Sequence, residues 1–197
     1  METILKPGVE KIMKLFYENK RENFHLREIA RRTNMNENNA SKILYRLEKD
    51  NILVSRKDGN LKKFSINPKD RIFSIFSYFD IEKLNNFEIL RKNALDYFID
   101  KLEEKPFIAL IFGSTAKGTY RKDSDIDLLL IVNTKIKTGQ AEKYAEAQTG
   151  VKISVFQINY NDFKLELKTR YDKVLDSAVN TGFPILNNIQ YYREVYR

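Results

Sequence analysis

Two short apolar runs, FIALIF over residues 107–112 and LLLIV over 128–132, bracket the segment GSTAKGTYRKDSDID, and this arrangement constrains the fold most. A run that is apolar at every position reads as a central strand covered on both faces. The first run enters Gly113-Ser114 directly, and the second leaves Asp125-Ile126-Asp127 directly. A small Gly-Ser pair where a strand opens a helix lets backbone N–H groups approach phosphates closely. Strand alternation puts Asp125 and Asp127 on one face. Two carboxylates at that spacing can hold divalent metal ions against a triphosphate.

Composition removes several other chemistries. The 197 residues contain no cysteine and one histidine, His25. That excludes disulfide scaffolds, thiolate zinc sites and thiol nucleophiles, and leaves no basis for a Ser-His triad or a multi-histidine metal site. Neither apolar run is long enough to span a bilayer, and the first residues lack the pattern of a signal peptide. The expectation is a cytoplasmic protein with no membrane partner. The formal net charge is +8, from 35 Lys and Arg against 27 Asp and Glu. The first 70 residues hold 16 of the cations and 10 of the acids, so most of the excess lies there. A local basic excess suggests a polyanionic partner.

That first third has its own pattern. Pro7 and Gly8 precede an apolar-periodic stretch with Val9, Ile12, Met13, Leu15 and Phe16, which is helical spacing. A second short helix fits HLREIARRT, with Leu26, Ile29 and Ala30 inward, and Asn34 and Asn36 mark a turn. In a third helix, Ala40, Ile43, Leu44 and Leu47 make one buried stripe. Its other face shows Asn38, Asn39, Ser41, Lys42, Tyr45, Arg46 and Lys49, which can reach phosphates or base edges. Two strand-like runs then flank Asp58-Gly59-Asn60, a hairpin signal in which both Asp-Gly positions favour positive φ. Arg56, Lys57, Lys62 and Lys63 cluster at its tip. This order resembles winged helix-turn-helix domains, over roughly residues 5–67. The resemblance implies binding of DNA or RNA, while winged helices also serve protein contacts. His25 reads as a helix-end or surface residue.

Residues 69–80 carry Ile72, Phe73, Ile75, Phe76 and Phe79, a packing stripe between domains or subunits. A longer helix fits roughly 81–104, with Leu84, Phe87, Leu90, Ala94, Phe98 and Leu102 on one face. After the second apolar run come a helix in GQAEKYAEAQTG, a strand in VKISVFQI, and a closing helix in NDFKLELKTRYDKVLDSAV. That helix has Phe163, Leu167, Tyr171, Val174 and Ala178 on one side. GFPIL and a terminal helix complete the chain.

The segment IFGSTAKGTYRKDSDIDLLLIV, with these following elements, resembles nucleotidyltransferases of the DNA polymerase beta type. The spacing of Gly-Ser and Asp-x-Asp is most similar to the minimal nucleotidyltransferases of bacteria and archaea. The resemblance implies an α+β chain: a winged helix over 1–68, a helical connector over 69–80, and a mixed-sheet nucleotidyltransferase fold with flanking helices over 81–197. It implies that Gly113 and Ser114 bind the β- and γ-phosphates of a nucleoside triphosphate. Asp125 and Asp127 are then the catalytic pair and the ligands of Mg²⁺ or Mn²⁺. Lys117 neutralises phosphate charge, and Ser124 completes the family's usual SDID. Active members usually bring a third carboxylate from the next strand. Here Lys152, Ser154 and Phe156 form one face of that strand, Ser154 holds the expected acidic position, and residues 150–161 contain no acid.

Three functions fit these residues. One is nucleotidyl transfer to a hydroxyl acceptor, with the winged helix recruiting nucleic acid. The second is a DNA-binding regulator that senses a nucleotide without turnover, which the missing acid favours. The third is a member of a toxin–antitoxin pair with a toxin-type protein partner. A homodimer is expected because winged helices often pair and the 72–79 aromatics need cover.

Overall fold

The structure is a computed structural model that describes residues 5–197; residues 1–4, at the start of the first expected domain, lie outside the described residues. The chain divides into two compact units, one ending at Phe79 and including Tyr196 and Arg197, the other running from Asp80 to Val195.

The first unit begins with α1 (Pro7–Glu18), where a proline at the first turn lacks only an N–H that the helix would leave unpaired. Its apolar spacing buries Ile12, Met13, Leu15 and Phe16. Next come β1 (Phe24–His25), α2 (Leu26–Arg32), α3 (Glu37–Lys49), and a hairpin of β2 (Leu53–Asp58) and β3 (Leu61–Ile66). His25 ends β1 and caps α2, its Nδ1 accepting from the Glu28 N–H at 3.3 Å. Asn36 caps α3 in the same way, accepting from the Asn39 N–H at 2.8 Å. Ala40, Leu44 and Leu47 are buried, as the stripe predicts. The hairpin loop is Gly59-Asn60, one residue later than an Asp-Gly turn, since Asp58 still pairs with Leu61. Positive φ falls on Gly59 alone, so the expectation of two left-handed positions does not hold. β1 is two residues long and carries no sequence period; it pairs with β3 through Phe24 and Phe64.

α4 (Asp70–Asn85) buries Ile72, Phe73, Phe76 and Phe79. The Tyr17 ring lies 5.6 Å from Phe76 and 5.3 Å from Phe79, and Tyr196 stacks on Phe73 at 5.8 Å. The stripe is therefore covered by rings of its own unit, which removes the uncovered aromatics as an argument for a homodimer.

The helix expected over 81–104 is interrupted. α4 ends at Asn85 and α5 runs Ile89–Lys101. The restart rotates the buried face to Arg91, Ala94, Leu95 and Phe98 and leaves Leu90 exposed. The second unit continues with β4 (Ile108–Phe112), α6 (Gly113–Lys117), β5 (Ile126–Val132), α7 (Gly139–Thr149), β6 (Ile153–Asn159), α8 (Tyr160–Thr169), α9 (Lys173–Thr181), β7 (Phe183–Leu186) and α10 (Asn188–Val195). The sheet order is β6-β5-β4-β7, with β5 and β6 parallel and the other pairs antiparallel. One face of this mixed sheet, with Ala109, Ile111, Leu128 and Leu130, packs against α5 and α7. The opposite face buries Leu110, Leu129 and Ile131, while α8 packs on β5 and α9 and α10 pack on β4.

The single closing helix expected after β6 is two helices. Arg170 takes φ 53°, and Asp172 then starts α9 by accepting from the N–H groups of Val174 and Leu175 at 2.8 and 3.1 Å. Phe163 and Ala178 are buried as expected, but Tyr171 and Val174 are exposed because the break resets the helical phase. Among the described residues, no helix is long and apolar enough to cross a membrane.

Candidate active site

The sheet brings three positions into one row. Phe112 of β4 pairs with Asp127 of β5, and Asp127 pairs with Ser154 of β6. Because β4 and β5 are antiparallel, the end of one apolar run meets the start of the other. The Gly-Ser turn therefore lies against the two acids.

Gly113 follows Phe112 with φ +68°, and a Cβ built there would collide with Oδ2 of Asp127. Glycine is thus required for backbone conformation and for space. Gly113→Ala is expected to destabilise the fold by at least about 1–2 kcal/mol from the left-handed backbone alone, and to displace Asp127. The shift of the denaturant midpoint checks this. After the short α6, Gly118 takes φ +69°, and the Thr119 N–H donates to the Ser114 carbonyl at 3.0 Å, which closes the turn.

Asp125 and Asp127 are both partly buried. Asp127 is held above the usual carboxylate range, first by burial and then by the negative charge of Asp125. A partly buried carboxylate beside a like charge is an environment that a cation relieves. Ser154 lies beside them, its hydroxyl donating to Oδ2 of Asp125 at 3.0 Å. The position expected to be acidic therefore carries a hydrogen-bond donor. Among the described residues, no group of three His, Cys, Asp or Glu side chains is placed to hold a metal ion. The donor set fits a divalent ion that takes its remaining oxygens from a bound phosphate and water. It does not supply the third carboxylate that the resemblance implies.

The other candidates of this unit are placed as follows. Ser114 is partly buried and Lys117 exposed. The Ser124 Oγ accepts from the Arg121 N–H at 2.9 Å, and the Ser124 N–H donates to the Arg121 carbonyl at 3.0 Å, so Ser124 closes the loop before Asp125. Sequence reasoning missed Arg91. It is 1% exposed and donates to the Thr115 hydroxyl at 3.3 Å and to the carbonyls of Arg121 and Ser124 at 3.2 and 2.6 Å. The only signal was negative: an arginine interrupting an apolar helix face.

In the first unit, Asn38, Asn39, Ser41, Lys42, Tyr45, Arg46 and Lys49 all lie on the exposed side of α3. Arg56, Lys57 and Lys62 are exposed on the hairpin, and Lys63 is partly so. Three of these cations already face acids: Arg46 with Asp50 at 3.8 Å, Lys62 with Glu48 at 2.7 Å, and Lys63 with Asp58 at 2.6 Å. Hydrogen bonds from Lys62 and Ser55 hold the Glu48 carboxyl below its usual range, and Lys63 does the same for Asp58. Glu48 thereby ties the hairpin to α3. A groove between them is lined by Arg27, Ser41, Tyr45, Glu48 and Lys62.

Residues 92–180 match the family model of the nucleotidyltransferase domain. The match covers a little under half of the chain and contains the Gly-Ser turn, both acids and Ser154. It leaves the first unit outside. No curated protein and no solved structure matches this chain.

Proposed function

We propose that the second unit transfers a nucleotidyl group from a nucleoside triphosphate to a hydroxyl acceptor, dependent on Mg²⁺ or Mn²⁺. The observation that carries this reading is the neighbouring Asp125 and Asp127, with partly desolvated Asp127 set against Gly113, inside the segment that matches the nucleotidyltransferase domain. The acceptor oxygen attacks the α-phosphorus, the bond from that phosphorus to the bridging oxygen breaks, and pyrophosphate leaves. A divalent ion on Asp125 and Asp127 would supply charge neutralisation for the triphosphate.

The chain's own part is positional. Gly113 and Ser114 take the β- and γ-phosphates, Lys117 adds a positive charge, and the row from Phe112 to Ser154 fixes the acids. Ser154 supplies no base, so the acceptor proton passes to solvent. Incubating the protein with labelled triphosphates and Mg²⁺ or Mn²⁺ tests this, since pyrophosphate release or a labelled acceptor must appear.

Ser154 favours a second reading. Its hydrogen bond to Asp125 suits a site that holds a metal-bound nucleotide without turning it over. The protein would then be a nucleotide-sensing DNA-binding regulator. In both readings the first unit is a winged helix that contacts DNA or RNA through α3 and the hairpin. Support comes from its element order and from the exposed Lys42, Lys49, Arg56 and Lys57. Each cation placed on a phosphate contributes about 0.9 to the slope of log K against log salt for duplex DNA. Lys42→Ala and Lys57→Ala are each expected to reduce that slope by about one. An unchanged slope in both removes the proposed contacts.

A further inference from the structure

The geometry points to Arg91 as the positioning residue that sets the nucleotide site, acting on both of its halves from beneath. α5 delivers this side chain to a place 1% exposed, where an arginine is expensive unless its donors are used. They are used on two segments. One nitrogen donates to the Thr115 hydroxyl, and that hydroxyl in turn donates to the Asp125 carbonyl at 3.3 Å. The other nitrogen donates to the carbonyls of Arg121 and Ser124, the second at 2.6 Å. The guanidinium lies 4.0 Å over the Tyr120 ring, a cation–π contact with the same loop.

Thr115 belongs to the short helix opened by Gly113 and Ser114. Tyr120, Arg121 and Ser124 belong to the loop that delivers Asp125. The loop is already a closed turn through the reciprocal bonds of Arg121 and Ser124. Arg91 therefore fixes the distance between a rigid loop and a rigid helix end. None of these partners is a carboxylate, so they fix the guanidinium without an ion pair. A lysine cannot reproduce the role, because one ammonium lacks the planar fork that spans two segments.

This inference rests on the nucleotide-site reading, and the test separates the two. Arg91→Met and Arg91→Lys are compared with wild type in the full chain by calorimetric titration of Mg²⁺ with ATP, at a temperature well below each melting point. Backbone hydrogen exchange is measured on the same samples. Supporting partners of this kind typically alter metal affinity about 10–100-fold when removed. Both variants are expected to weaken Mg·ATP binding by about tenfold or more, and to lose protection at residues 119–125 while β4 and β5 keep theirs. Thr115→Val removes one arm and keeps the volume; it should show the same changes to a smaller degree, and it decides the matter if the Arg91 variants do not fold. Folded variants with wild-type binding and wild-type protection at 119–125 would overturn the role of Arg91. If wild type binds none of the four nucleoside triphosphates with Mg²⁺, the nucleotide reading fails, and the exchange pattern alone still decides whether Arg91 holds the loop.

Discussion

Asp125→Asn combined with Asp127→Asn is expected to lower pyrophosphate release at least about 10³-fold, the scale on which charge stabilisation operates in sites of this kind. The same variant is expected to melt at the wild-type temperature or above it. Asp127 is held above its ordinary range by burial and by the charge of Asp125. A carboxyl whose folded value is raised favours the neutral form in the native state. Ionising it as pH rises through that range therefore costs folding free energy. Asparagine escapes this cost and still offers Ser154 an acceptor oxygen. Loss of activity with a fall in melting temperature would mean that the acids serve packing. Loss with no fall, or a rise, means that they are maintained against stability for chemistry.

Ser154→Asp is the second large effect, with a gain as the expected result. Ser154 pairs with Asp127 across the parallel strands and lies 3.0 Å from Asp125 by its hydroxyl. An aspartate there supplies the third carboxylate that the resemblance to nucleotidyltransferases implies, as a base for the acceptor hydroxyl of the proposed transfer. General base catalysis typically contributes about 10²–10⁴-fold, and turnover should rise within that range. The substitution also adds a third negative charge to two that already repel. The variant should melt lower than wild type in chelator and recover with Mg²⁺ or Mn²⁺, because the ion offsets the added charge. Recovery by metal without any gain in turnover would show that proton removal does not limit this site.

The two buried strands were legible because a continuous apolar run has few other uses. The pairing of Phe112 with Asp127 was not, because the helix-bearing segment between the two runs is long enough for a parallel or an antiparallel return. The buried stripe of α3 was legible from period alone. The break between α4 and α5 was not, because Leu84, Phe87 and Leu90 keep a helical period through it, and only packing shows that Leu90 is exposed. The break between α8 and α9 did carry a signal. Asp172 precedes Lys173-Val174-Leu175 as an N-cap should, but the apolar spacing on both sides masked it. Arg91 carried only the interruption of an apolar face, for a different reason. A charged side chain on a helix is normally solvated, and its burial depends on acceptors 24 to 33 residues away in sequence. Register across β7, β4, β5 and β6 is equally nonlocal.

In the proposed function, Gly113, Ser114, Asp125 and Asp127 form one metal-dependent triphosphate site. Equilibrium binding tests it without requiring turnover. Wild type and the Asp125→Asn, Asp127→Asn double variant are titrated calorimetrically with each of the four nucleoside triphosphates, with and without Mg²⁺. Wild type is expected to bind at least one triphosphate saturably and only with the ion, and the double variant is expected to bind none. Binding that is indifferent to the ion, or that survives removal of both acids, would contradict the proposed site.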